Sequence, residues 1–133
     1  MPQPALAATL ADVDTEIRAL EACLGDAAEP PLESTVEAAQ ALARRMIGGY
    51  LSAATDKAVP ASDDLLALWK ALVKGDPTWN TIRDNCRELI YYRNCLEAGR
   101  ADALPAKPAR MAVRTVRHLH LFIKSRCERE GRL

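Results

Sequence analysis

Apolar residues recur along this chain at intervals of three and four, the period of a helix with one face buried. The clearest run is Leu6, Leu10, Val13, Ile17, Leu20 and Leu24. Its alternating steps of four and three make a narrow seam over nearly three heptads, so the spacing predicts a helix over about 5–24 packed lengthwise against near-parallel neighbours. Either the interior of a bundle or a dimer partner satisfies that seam, and the bundle interior is the simpler expectation. A second helix is expected over 32–54, with Leu32, Val36, Ala39, Ala43, Met46, Ile47 and Tyr50 on its buried face. Gly48-Gly49 falls inside it, at a cost of about 1 kcal/mol per glycine relative to alanine, and invites a kink or an early stop. Leu65, Leu68, Trp69 and Leu72 mark a short third helix over 63–74, with Ser62 as its N-cap. Trp79, Ile82, Cys86, Leu89, Ile90 and Leu96 mark a fourth over 77–98, opened by Asp76 as N-cap and Pro77 at the first helical position. Ala112, Val116, Leu119, Ile123 and Cys127 mark a fifth over 109–130.

Proline and glycine punctuate the same pattern. All eight prolines fall at the edges of these segments, where a residue that disrupts a helix interior by about 3 kcal/mol is tolerated. Gly25, Gly75 and Gly99 follow apolar runs, where a left-handed C-cap is wanted. Residues 100–108 hold two prolines and read as an extended linker. The chain of 133 residues is 49% hydrophobic and 5% aromatic. Alanine is its commonest residue, and no run of β-branched residues suggests a strand. The expectation is one all-α domain, 1–133, a single up-and-down bundle of about five helices with a short third helix.

Formal net charge is zero, yet the charges are unevenly spread. Residues 1–40 carry eight acidic side chains against the single base Arg18, and residues 104–133 carry eight bases against Glu128 and Glu130. Such a polarity either steers a partner or pairs the two ends of one fold. Four cysteines in a chain of this length do not make a disulfide framework. Met1–Leu10 lacks the features of a secretory signal. No apolar stretch is long enough to span a bilayer, so a reduced cytoplasmic setting is expected.

The residue types that carry chemistry do not form a recognisable site. Cys86 and Cys95 are nine apart on one helix and face different ways, unlike the short spacing of zinc ligands. His118 and His120, the only histidines, point about 200° apart on a helix. No Glu-x-x-His pair and no glycine-rich phosphate loop is present. No cofactor, metal or catalytic residue is therefore assigned, and a non-enzymatic role is favoured.

Arg93 lies in line with the apolar stripe of the fourth helix and needs a carboxylate, an anion or a path to water. Tyr92-Arg93-Asn94, followed by Cys95-Leu96-Glu97-Ala98, resembles the Arg-Asn-x-x-x-His element of the HEPN helical nucleotide-binding and ribonuclease domains. Ala98 stands where that family has its catalytic histidine, and Arg114 to His120 repeats an Arg-x5-His spacing. Each match covers six or seven residues. The resemblance implies an RNA-binding or RNA-cleaving bundle, often dimeric and related to toxin–antitoxin pairs. Arg93, Arg114, Arg117 and His120 are then the RNA-binding or anion-binding candidates. Against this stands the reading that the chain is an accessory protein, self-associating and docked on a partner protein through Tyr91, Tyr92, Leu121 and Phe122. Those residues give the fourth and fifth helices more apolar surface than one buried stripe needs. Docking of the last helix on an anionic membrane is a third and lesser possibility.

Overall fold

The structure, a computed structural model, describes residues 1–25, 29–54 and 57–133. Among these there are no strands, and five α-helices form the bundle: α1 (Pro4–Ala22), α2 (Leu32–Ala53), α3 (Leu65–Val73), α4 (Arg83–Glu97) and α5 (Pro108–Arg129). The all-α bundle with a short third helix is as expected. Boundaries shift where local chemistry differs from the expectation. Asp64, not Ser62, caps α3, its carboxylate accepting from the Ala67 N–H, while the Ser62 hydroxyl accepts from the Asp64 N–H one step earlier. Asp76 does cap the next segment, with Pro77 behind it, but the first turns run as a 3₁₀ helix (Pro77–Ile82) before α4 begins. The supposed extended linker contains a single 3₁₀ turn, Ala101–Ala103. Gly75 and Gly99 take the left-handed conformation after α3 and α4, whereas Gly25 does not, because α1 ends earlier on Cys23.

α2 is the hub and touches all four other helices. Thr35, Val36, Ala39, Gln40, Leu42, Ala43, Met46, Ile47, Tyr50 and Leu51 are buried along it, far more than one stripe. Cross-links fix the directions of its neighbours. Glu16 of α1 pairs with Arg45 of α2, and Gln3 reaches the Ala53 carbonyl, so these helices run antiparallel. Arg93 of α4 meets Gln40 of α2, while Trp79 packs on Tyr50, again antiparallel. Asp14 and Leu10 of α1 meet Arg117 and His120 of α5 in the same sense. The α1 seam closes inside the chain: Leu6, Leu10, Val13 and Ile17 are buried against the bundle.

α2 continues through Gly48-Gly49 without a break to Ala53. The two glycines differ in surroundings. A Cβ at Gly49 would lie 3.3 Å from the Thr9 methyl, so α1 crosses closely there, while nothing stands near Gly48.

Candidate functional site

The last helix is the expected working element, and its arginines divide into two groups. Those on its flanks are tied to acidic residues of the same chain. Arg117 donates from Nη1 to Asp14 Oδ1 at 2.7 Å and from Nη2 to Glu21 Oε1 at 2.8 Å, joining α5 to α1. The guanidinium holds the Asp14 and Glu21 carboxyls below their ordinary range, and they raise the guanidinium in turn. Arg110 reaches the Gly25 carbonyl at 3.0 Å and Glu29 at 3.5 Å. Arg126 donates to Thr78 at 2.7 Å and also binds Asp76 and Glu130. The uneven charge of the sequence is thus partly folded against itself: Asp14, Glu21 and Glu29 from the acidic end pair with Arg117 and Arg110 of the basic last helix.

His120 is buried beside Arg117, at 3% exposure. Its Nε2 lies 3.2 Å from the Leu10 carbonyl and its Nδ1 3.2 Å from Arg117 Nη1. A carbonyl needs a donor and a guanidinium needs an acceptor, so the neutral ring with hydrogen on Nε2 satisfies both. Burial also lowers the His120 pKa below its usual value. This is a satisfied core histidine, not a side chain presented to a substrate.

The four RNA-binding candidates do not converge. Arg93 is on the α2–α4 side, where its Nη1 donates to the buried Gln40 amide oxygen at 2.7 Å and its Nε to Glu97 at 2.9 Å. It reaches the surface while leaning on polar partners, which resolves the question of what balances it. Arg117 and His120 are on the α1–α5 side, and Arg114 is exposed on the outside of α5. Ala98, at the end of α4, supplies no acid–base group.

The four partner-contact candidates separate as well. Tyr92 turns inward, at 2% exposure, and its hydroxyl donates to Glu88 at 2.6 Å, with Thr115 of α5 donating to the other oxygen of the same carboxylate. Phe122 is half-buried against the core, with its ring edge on Trp79 at 5.7 Å. Tyr92 is closed off from the surface, whereas Phe122 keeps a partly exposed edge beside Thr81 and Arg129. The reason is architectural: α5 packs against α1, α2 and α4 of its own bundle, so most of its wide apolar arc is covered from within. Tyr91 is 48% exposed, but its hydroxyl is tied to the Ala103 carbonyl at 3.0 Å. Since Glu88 lies opposite Thr115, Tyr91 sits near the start of α5, roughly 14 Å along the axis from Leu121 at about 1.5 Å per residue. Leu121 alone stands fully outward, at 55% exposure. Around it on the outer ridge of α5 are the exposed side chains of Arg114, His118, Lys124, Glu128 and Arg129, none of them ion-paired to another described residue.

Two features escaped the sequence reading. One is a shallow groove between the start of α2 and the end of α4, floored by Val36 and Leu96 and rimmed by Glu33, Glu37 and Glu97. The other is a polar–aromatic knot where both chain ends meet. There the Arg126 guanidinium lies over the Trp79 ring at 4.1 Å, Arg132 lies over Tyr50 at 5.0 Å, and Tyr50 donates to Glu130 at 2.8 Å. Burial and the Glu130 carboxylate push the Tyr50 hydroxyl up to about 12. Because the knot is assembled from α2, the 3₁₀ segment and the end of α5, no local signal marks it. The buried Trp79 indole N–H has no partner among the described residues; the charged and hydroxyl groups around it are bonded to one another, and we read the knot as a structural closure.

Among the described residues, no three metal-ligating side chains come together, and no helix is long and apolar enough to cross a membrane. All four cysteines are free; Cys86, Cys95 and Cys127 are buried, and burial raises the Cys86 thiol to about 12 and Cys127 to about 11. Comparison with protein-family models, with curated proteins and with solved structures gave no match to this chain.

Proposed function

We propose that this protein is a non-enzymatic docking module, working in a reduced cytoplasmic setting, that binds a partner protein through the outer ridge of α5. One observation carries the reading. On a helix whose other arginines are neutralised by the chain's own carboxylates, the exposed Leu121 stands among Arg114, Lys124 and Arg129, which lack an ion-pair partner among the described residues and outnumber Glu128, the one acid on that face. A solvated apolar side chain within a cationic rim has the layout of an interface centre, where an apolar anchor is buried and the rim sets specificity. The partner surface should therefore be acidic around an apolar recess.

Ribonuclease chemistry finds less support, since Arg93 and His120 line different sides of the bundle and His120 is occupied by Leu10 and Arg117. The test is site-specific photo-crosslinking in the native cell, with the reactive residue at position 121 or, as control, at the exposed position Leu66 on α3. A discrete protein adduct from 121 and none from 66 is the expected result. Equal adducts from both positions, or none from 121, would overturn the proposal.

A further inference from the structure

We infer that the ridge around Leu121 seats in the α2–α4 groove of a second copy of this chain, a contact that rests on the α5 docking reading above. The two surfaces, an outward apolar side chain and an apolar-floored groove, carry opposite excess charge and share no residue. The groove encloses about 510 Å³, with Val36 and Leu96 at its floor. Three carboxylates rim it: Glu33 has no ion pair among the described residues, Glu37 lies 3.6 Å from Arg44, and Glu97 is bonded to Arg93. Arg93 is the cation inside it, and Gln40 and Glu97 already hold that guanidinium. The excess charge at the groove is acidic.

The ridge supplies the opposite excess, with Arg114, Lys124 and Arg129 against the single acid Glu128. Leu121 is the apolar knob, with His118 three residues before it, Lys124 three after, and Arg114 two turns before. His118 and Lys124 are about 9 Å apart along the helix, and Glu33 and Glu37 about 6 Å apart along theirs. With Leu121 pointed at the floor, Lys124 lies about 5 Å along the helix on one side of it and Arg114 about 10 Å on the other, and both bases face an acidic rim. Ridge against ridge would oppose like charges, and so would groove against groove. Only ridge in groove brings opposite charges together, once in a head-to-tail pair or twice in a two-fold dimer in which each ridge fills the other's groove. The patch is small, so the association belongs to the weak, salt-sensitive class.

Sedimentation velocity on the full chain over a concentration series tests this at low and high salt. Wild type is expected to grow in mean mass with concentration at low salt and to revert toward monomer at high salt. Leu121→Glu (ridge) and the double variant Glu33→Lys with Ser34→Arg (groove) should each remain monomeric. All three positions are exposed, and circular dichroism checks that each variant is folded. The decisive arm is the equimolar mixture of the two variants: one intact ridge meets one intact groove and should give a capped 1:1 dimer. A wild type that stays monomeric to about 1 mM, where a contact worth about 4 kcal/mol would be half formed, overturns the inference. So does self-association that ignores both variants, or a mixture of folded variants that stays monomeric. If wild type is monomeric while position 121 still cross-links a chain of another mass, this inference fails and the docking reading stands.

Discussion

Replacing Arg117 with alanine should cost about 2 kcal/mol of folding stability, within the range of roughly 1.5–3 kcal/mol for a net hydrogen bond to a charged group. That is a large loss for a residue on a helix that reads as a surface basic stripe. The Arg117 side chain is 18% exposed and joins α5 to Asp14 and Glu21 of α1. The Asp14 bond, with a carboxylate 27% exposed, should keep most of that contribution. The Glu21 bonds are closer to solvent, at 40% exposure, and contribute a fraction. Loss of the guanidinium also leaves His120 Nδ1 without its donor. The matched control is Arg114→Ala, one turn earlier and exposed, which should change stability by less than about 0.5 kcal/mol. Urea unfolding followed by far-UV circular dichroism reads both. If Arg117→Ala costs no more than Arg114→Ala, the internal pairing of the acidic and basic helices is not what holds α1 to α5.

Acid should weaken the protein in two stages. His120 has a folded pKa below its ordinary 6.5, so the unfolded chain binds the extra proton first; the stabilisation is complete above about 6.5 and is lost as pH falls through the folded value. Asp14 and Glu21 are likewise depressed from 3.8 and 4.5, so theirs is complete above about 4.5 and fades at lower pH. His120→Gln should remove the first stage of a stability–pH profile and keep the second; an unchanged profile would show that His120 does not titrate as described. Gly48→Ala should stabilise α2 by about 1 kcal/mol in thermal unfolding, since its surroundings are open. Gly49→Ala should gain less because of Thr9, and equal gains would deny the close crossing. Thiol titration of the native protein should label Cys23 fast, and Cys86, Cys95 and Cys127 only on unfolding; rapid labelling of Cys86 would contradict its burial.

How much of this was legible beforehand depended on whether the signal was local. Prolines at segment edges and apolar spacing located all five helices, because both act within a turn or two. The α1 seam was plain for the same reason, although only packing showed that α2 and α5, not a second chain, close it. Tyr92 was misplaced because its neighbour Tyr91 does face out, and one residue of helix rotation separates an exposed phenol from one aimed at Glu88. The apolar width of α5 called for cover by a partner or by other helices of the same bundle, and α1, α2 and α4 supply most of it. Arg117 and Arg114 were indistinguishable in sequence, since the Asp14 and Glu21 that claim one of them lie about a hundred residues away. The α2–α4 groove was invisible for a like reason: its two walls are sixty residues apart.

The central claim is that the outer ridge of α5 is a working surface, separate from what holds the fold. The measurement that tests it most directly is the yield of partner-bound chain for Leu121→Glu relative to wild type, taken with thermal unfolding of the same samples. The account predicts unchanged unfolding, because Leu121 is exposed and contributes nothing to the core, together with loss of most of the complex. Undiminished complex from a folded Leu121→Glu protein would contradict it.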